Sequence, residues 1–193
     1  MTQAQNVRDL VSAAILDAAA VVIAEHGEAA SMADVAEAAG VGRATLYRYF
    51  ASREDLLRAL TRAAIDDAGK RIVDADLEHV PVPEALARMA RALVVSGSKF
   101  IVIIDDPQHI DSDEVEHRVG NPLRAVLRRG MTEGTLRQDL PVEVLARFWG
   151  GLLVSTIRSM RQFGLGVERA SAAMSSVFLQ GTESRSISQT AAE

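Results

Sequence analysis

Apolar positions in this chain recur at three- and four-residue spacings almost from end to end, the period of an amphipathic helix. Over 8–25 the stripe is Val11, Ile15, Ala18 and Val22, and Gly27 stops it. Two short helices and a tight turn follow. Ser31 is placed as an N-cap, with Asp34 at the capping-box offset. Val35, Ala36 and Ala39 give the first short helix its apolar face. Gly40 then stands where a left-handed backbone favours glycine, and Val41 fills the corner. A second short helix runs from about Arg43 to Phe50. Leu46 and Phe50, four apart, share a buried face, while Ala44, Thr45 and Arg48 point away. Ser52 and Asp55 repeat the capping signature and open a helix that carries Leu56, Leu57, Leu60, Ala63 and Ala64 past residue 70.

Two prolines break the pattern over 74–83. The spacing then predicts an apolar helix over 84–104, an acidic loop over 105–114 and a helix over 112–132, kinked or broken at Gly120-Asn121-Pro122. Pro141 opens a helix to about Phe163. Gly164 and Gly166 make a turn before a last helix over 167–180, and the polar stretch 182–193 is expected to be a disordered tail. The predicted fold class is all-α.

Composition narrows this. A chain of 193 residues is one large domain or two small ones, and 48% apolar content supports a sizeable core. Aromatics are only 4%, so Ala, Val, Leu and Ile build that core. The net charge of −5 excludes a wholly basic surface, so any nucleic-acid contact must come from a local patch. Such a patch exists: Arg43, Arg48, Arg53 and Arg58 cluster, and Tyr47 and Tyr49 flank Arg48. Small, hydroxyl and cationic groups on one helix face suit a major groove. The lack of cysteine removes disulfides, thiolate zinc sites and thiol nucleophiles together. The N-terminal apolar helix carries too many charges for a signal peptide, and no apolar run is long enough to span a membrane. A soluble, cytoplasmic protein is expected.

The runs Ile15-Leu16-Asp17-Ala18-Ala19, His26-Gly27, Ala36-Glu37-Ala38-Ala39-Gly40-Val41, Thr45-Leu46-Tyr47-Arg48-Tyr49-Phe50 and Ser52-Arg53-Glu54-Asp55-Leu56-Leu57 resemble the N-terminal domain of the TetR family of bacterial transcriptional regulators. Glu133 to Leu140 resembles a common junction before that family's last two helices. The resemblance implies a helix-turn-helix DNA-binding domain over 1–52 and a helical regulatory and dimerisation domain over 53–181. It implies a regulator, usually a repressor, of a palindromic operator on double-stranded DNA. By that resemblance Arg43, Ala44, Thr45 and Tyr47 would face bases or adjoining backbone, and Tyr49 and Arg53 would position phosphates; Arg48 shares the outward face of the helix as a DNA-binding residue, and Ser31 with the helix N-terminus behind it can hold a phosphate.

Excess apolar surface on the last two helices predicts a homodimer. Gly150, Gly151, Thr156, Met160, Ala170, Ala173, Met174 and Val177 are its expected contacts. Helix 84–104 also carries more apolar bulk than one neighbour needs. Met89, Leu93, Phe100 and Ile104, faced by Met131, Trp149 and Leu152, are expected to line a pocket for a small hydrophobic effector, with His109 and His117 as polar handles. Glu114 and His117 have the spacing of half a di-iron helical site, but the second pair is absent. No catalytic set, cofactor motif or phosphate loop stands out, so an enzyme is not expected. The alternatives are a regulator gated by a protein partner and a helical metal-binding protein.

Overall fold

A computed structural model describes residues 3–96 and 111–182, and helix is their repetitive structure. The helices are α1 (Gln3–His26), α2 (Met32–Ala38), α3 (Arg43–Tyr49), α4 (Arg53–Asp74), α5 (Val82–Val95), α6 (Ser112–Val115), α7 (Asn121–Thr132), α8 (Val142–Phe163) and α9 (Val167–Thr182). The chain divides into two compact units, one formed by Met1–Lys70 with Val95–Arg118, the other by Arg71–Val94 with Val119–Glu193. The boundary expected after residue 52 falls inside the first unit.

In the first unit, Ile15, Ala19 and Val22 of α1 form one core with Val35 and Ala36 of α2, Leu46 of α3, Phe50 and Leu56, Leu57 and Leu60 of α4. Ala19 is sealed in that core, whereas its neighbour Ala18, the residue expected there, is only half-buried. Helix α2 is capped by Ser31. It ends in a left-handed turn at Gly40 (φ +64°), where the Gly40 N–H donates to the Glu37 carbonyl and the Val41 N–H to the Ala36 carbonyl. That pair of bonds satisfies the last carbonyls and turns the chain sharply toward α3. Val41 packs against the core from the corner.

The second unit packs α8 against α7 and α9. Gly130 permits a close crossing: a Cβ there would lie 2.7 Å from Leu136 and 2.8 Å from Val82. The Arg129 guanidinium closes the loop before α5, donating to the carbonyls of Glu78 and Val80 at 2.8 Å and Leu77 at 3.1 Å. Helix α5 begins at Val82, two residues before expectation, and ends at Val95; the stretch predicted to carry it on to 104 lies outside the described residues from 97 onward.

The interruption expected at 120–122 is a π-helical turn, Glu116–Gly120, between α6 and α7. Pro122 has no N–H for the carbonyl of Arg118, and widening the preceding turn removes the conflict. At the C-terminus, Thr182 belongs to α9 and not to a tail: it is buried and its hydroxyl donates to the Phe178 carbonyl at 2.7 Å. The remainder of the predicted tail lies outside the described residues. No described helix is long and apolar enough to cross a membrane.

Candidate nucleic-acid interface

The sequence of α3 sorts its side chains into two faces. Leu46 is 0% exposed, which fixes the helix against α1 and α2. Arg43, Ala44, Tyr47 and Arg48 are exposed on the other face, with Thr45 half-buried between. Tyr47 stands out as a large, exposed aromatic, 50% accessible. Tyr49 leans on the core, and the Arg48 guanidinium carbon lies 5.8 Å from its ring centroid, a cation–π placement that orders both. Among the described residues, neither Arg43 nor Arg48 is within ion-pair distance of a carboxylate.

The other two arginines of the cluster are engaged. Arg58 donates to Asp55 at 2.5 Å and to Glu54 at 3.4 Å. Arg53 is half-buried, and its Nε donates to the Ala30 carbonyl at 3.4 Å, tying the start of α4 to the turn before α2. The cationic face is thus narrower than the four arginines suggested.

Ser31 is also committed. Its backbone N–H and its hydroxyl both donate to Asp34 Oδ2, at 2.9 and 2.7 Å, and the Asp34 N–H donates back to Ser31 Oγ at 3.2 Å. The hydroxyl expected to hold a phosphate is therefore occupied within its own cap. These bonds from Ser31 hold the Asp34 carboxyl below its usual range. Asp55 is lowered in the same way, first by the Arg58 hydrogen bond and then by Ser52.

Both depressed carboxylates stabilise the folded head above about pH 4, the ordinary aspartate range, and lose that contribution as pH falls through their lowered folded-state values. Asp34→Asn should therefore melt below wild type at neutral pH, and the gap should close on acidification. A gap that persists unchanged into acid in pH-dependent melting would show that the charge does not hold the cap.

In the second unit the expected effector residues separate. Met89, Leu93 and Trp149 are buried, at 0%, 0% and 1% exposure. Met131 is half-buried, and Phe100, Ile104 and His109 lie outside the described residues. His117 is exposed on the π turn, in the first unit. Leu152 instead lines an open groove of about 190 Å³ between α8 and α9, together with Thr156, Ala170, Ala173, Met174 and Val177 from the expected dimer set. Gly150 and Gly151 have open space where a Cβ would point, and Met160 is half-buried.

Phe148 and Phe163 belong to the wide apolar stripe from which the sequence predicts a second subunit, and they lie on that outer face. They are 55% and 67% exposed and continue the 148-152-155-159-163 stripe of α8. Sequence reading missed a cleft of about 430 Å³ lined by Ile72, Val73, Leu77, Pro122, Val126 and Arg129 among others. Among the described residues, no group of three or more His, Asp or Glu side chains is placed to hold a metal ion.

The residues that build the reading head match known proteins. Residues 15–60 match the model of the bacterial regulatory proteins, tetR family. The chain is 31% identical to the HTH-type transcriptional repressor KstR2 of Rhodococcus jostii over 146 residues, 69% of this chain and 72% of that protein. The chain belongs to the TetR family. It is also 40% identical over 108 residues to the HTH-type transcriptional repressor LfrR of Mycolicibacterium smegmatis, a match that spans 56% of this chain and 57% of LfrR. The crystal structure of LfrR in complex with proflavine superposes with a TM-score of 0.73 at 29% identity, covering 89% of this chain and 96% of that one. This TetR-family member is a helix-turn-helix transcriptional regulator, with α2 and α3 as its helix-turn-helix.

Proposed function

We propose that the protein is a homodimeric repressor that reads a near-palindromic operator and is released from it by a small, largely apolar effector. The observation that carries this reading is α3: a sealed Leu46 beneath, and Arg43, Ala44, Tyr47 and Arg48 presented together above. A helix so anchored can enter a major groove with its exposed residues against base edges and its flanks against phosphates. Arg43, Ala44, Thr45 and Tyr47 are assigned to the groove, and Arg48, Tyr49 and Arg53 to its edges. Ser31 positions α2 through its cap instead of binding DNA itself.

Dimerisation is supported by the exposed Phe148 and Phe163 of α8 and by the mainly apolar groove that α8 forms with α9. A two-fold axis through that face makes the interface self-complementary and the operator near-palindromic. Effector binding is supported by the similarity to LfrR, whose crystal structure holds proflavine. Release requires that the effector bind the non-operator conformation more tightly, since equal affinity for both shifts nothing. Proflavine, which LfrR holds, is a first probe of this chain.

Genomic selection with purified protein should enrich a near-palindrome with half-sites about one helical turn apart. Arg43→Ala should cost ~1–3 kcal/mol in operator affinity and relax preference at one base pair per half-site. No enriched site, or a variant that binds as tightly and as selectively as wild type, would overturn the DNA assignment.

A further inference from the structure

The indole N–H of Trp149 is buried and has no hydrogen-bond partner among the described residues. Trp149 is 1% exposed, and its neighbours one turn away on α8, Leu145 and Leu153, are 0% and 7% exposed. The indole therefore shares the inward face of α8, roughly a quarter-turn round the helix from the stripe that carries Phe148 and Leu152. Buried N–H donors are nearly always paired, and leaving one unpaired costs as much as losing a hydrogen bond or more.

The surrounding unit does not relieve this. Its buried hydroxyls turn back on their own helix: Ser171 donates to the Val167 carbonyl at 2.8 Å, Ser175 to Ser171 at 2.9 Å and Thr182 to Phe178 at 2.7 Å. Among the described residues of this unit no carboxylate is buried, so none of them offers a buried countercharge to a cation.

We propose that Trp149 is the polar determinant of effector recognition, its indole N–H donating to a carbonyl oxygen of an uncharged, otherwise apolar effector. This rests on the effector reading above and adds the chemical class. A ketone or similar neutral acceptor satisfies the orphaned donor and leaves the rest of the site apolar. A hydrocarbon of the same shape leaves the donor unpaired. A cationic dye brings a charge that no buried carboxylate among the described residues neutralises and no acceptor that the indole needs.

The test uses matched probes on the full chain: benzophenone against diphenylmethane, 9-fluorenone against fluorene, and proflavine as the cation. Trp149 is the only tryptophan, so a nitrogen-15 correlation spectrum contains one indole signal. Each ketone should move that proton downfield and bind about tenfold more tightly than its hydrocarbon partner by calorimetry, the value of one neutral hydrogen bond. The ketones should release labelled operator at lower concentration than proflavine.

Trp149→Phe keeps an aromatic ring and removes the donor. It should erase the ketone advantage; the smaller ring also leaves a cavity that lowers the melting temperature in any case, so the ketone-to-hydrocarbon ratio is the readout that decides. A purely structural tryptophan would leave the ketone-to-hydrocarbon ratio at one in both proteins. Ketone and hydrocarbon binding equally, an indole signal unmoved by a bound ketone, or proflavine releasing operator best would each overturn the Trp149 assignment and leave the effector reading standing. If no probe in any series binds, the effector reading fails and the assignment falls with it.

Discussion

Leu46→Ala is expected to destabilise the first unit by ~2–5 kcal/mol and to remove specific DNA binding with it. Leu46 is the residue by which α3 is held: it is fully buried, and it meets α1, α2 and the start of α4 in one cluster. Truncation leaves a cavity at the junction of all of them, and α3 is too short to hold its shape without packing. Loss of binding alone would not separate a fallen scaffold from a lost contact. Tyr47→Ala, one residue along on the exposed face, separates them. It should weaken operator binding with an unchanged melting curve, while Leu46→Ala lowers both. If Leu46→Ala melts like wild type, or if Tyr47→Ala lowers the melting temperature as far, the two-faced description of α3 is wrong.

The head was legible in the sequence because its signals are local. Capping at Ser31 and Ser52, the turn at Gly40 and the Leu46–Phe50 pair each depend on residues within five positions. What the sequence could not show is how polar atoms within reach divide their bonds. Ser31 spends its hydroxyl on Asp34, Arg58 spends its charge on Asp55 and Glu54, and Arg53 reaches a carbonyl 23 residues away. Periodicity also fails among small residues: Ala18 and Ala19 differ by 100° around a helix, yet hydrophobicity cannot choose between two alanines.

The second unit was legible as helices and less so as a site. Its cleft depends on Arg129 closing a loop some 50 residues earlier in the chain, a pairing that no spacing rule anticipates. Leu152 was assigned inward and lines the outer groove, because a stripe as wide as that of α8 does not say which side meets which neighbour. An unpaired indole is a property of everything around it, and composition carries no trace of it.

That outer groove leads to the prediction with the widest functional reach. Val177→Glu should convert the protein to a monomer and lower operator affinity about 10²–10⁴-fold. Val177 is 58% exposed on the single chain and lines the α8–α9 groove, so a glutamate there leaves the protomer's own core intact. In a two-fold interface the same substitution appears on both sides, and each carboxylate must leave water for an apolar contact. The effect on DNA follows from linkage. Once one head is bound, the dimer presents the second at high local concentration, and a monomer forfeits that advantage without losing any base contact. Val73→Glu is the control, since Val73 is 78% exposed in the same unit but outside the groove. It should sediment as the wild type does and bind operator as tightly. A wild-type protein that sediments as a monomer at micromolar concentration, or a Val177→Glu protein that remains dimeric with undiminished affinity, would place the two-fold axis elsewhere or remove it.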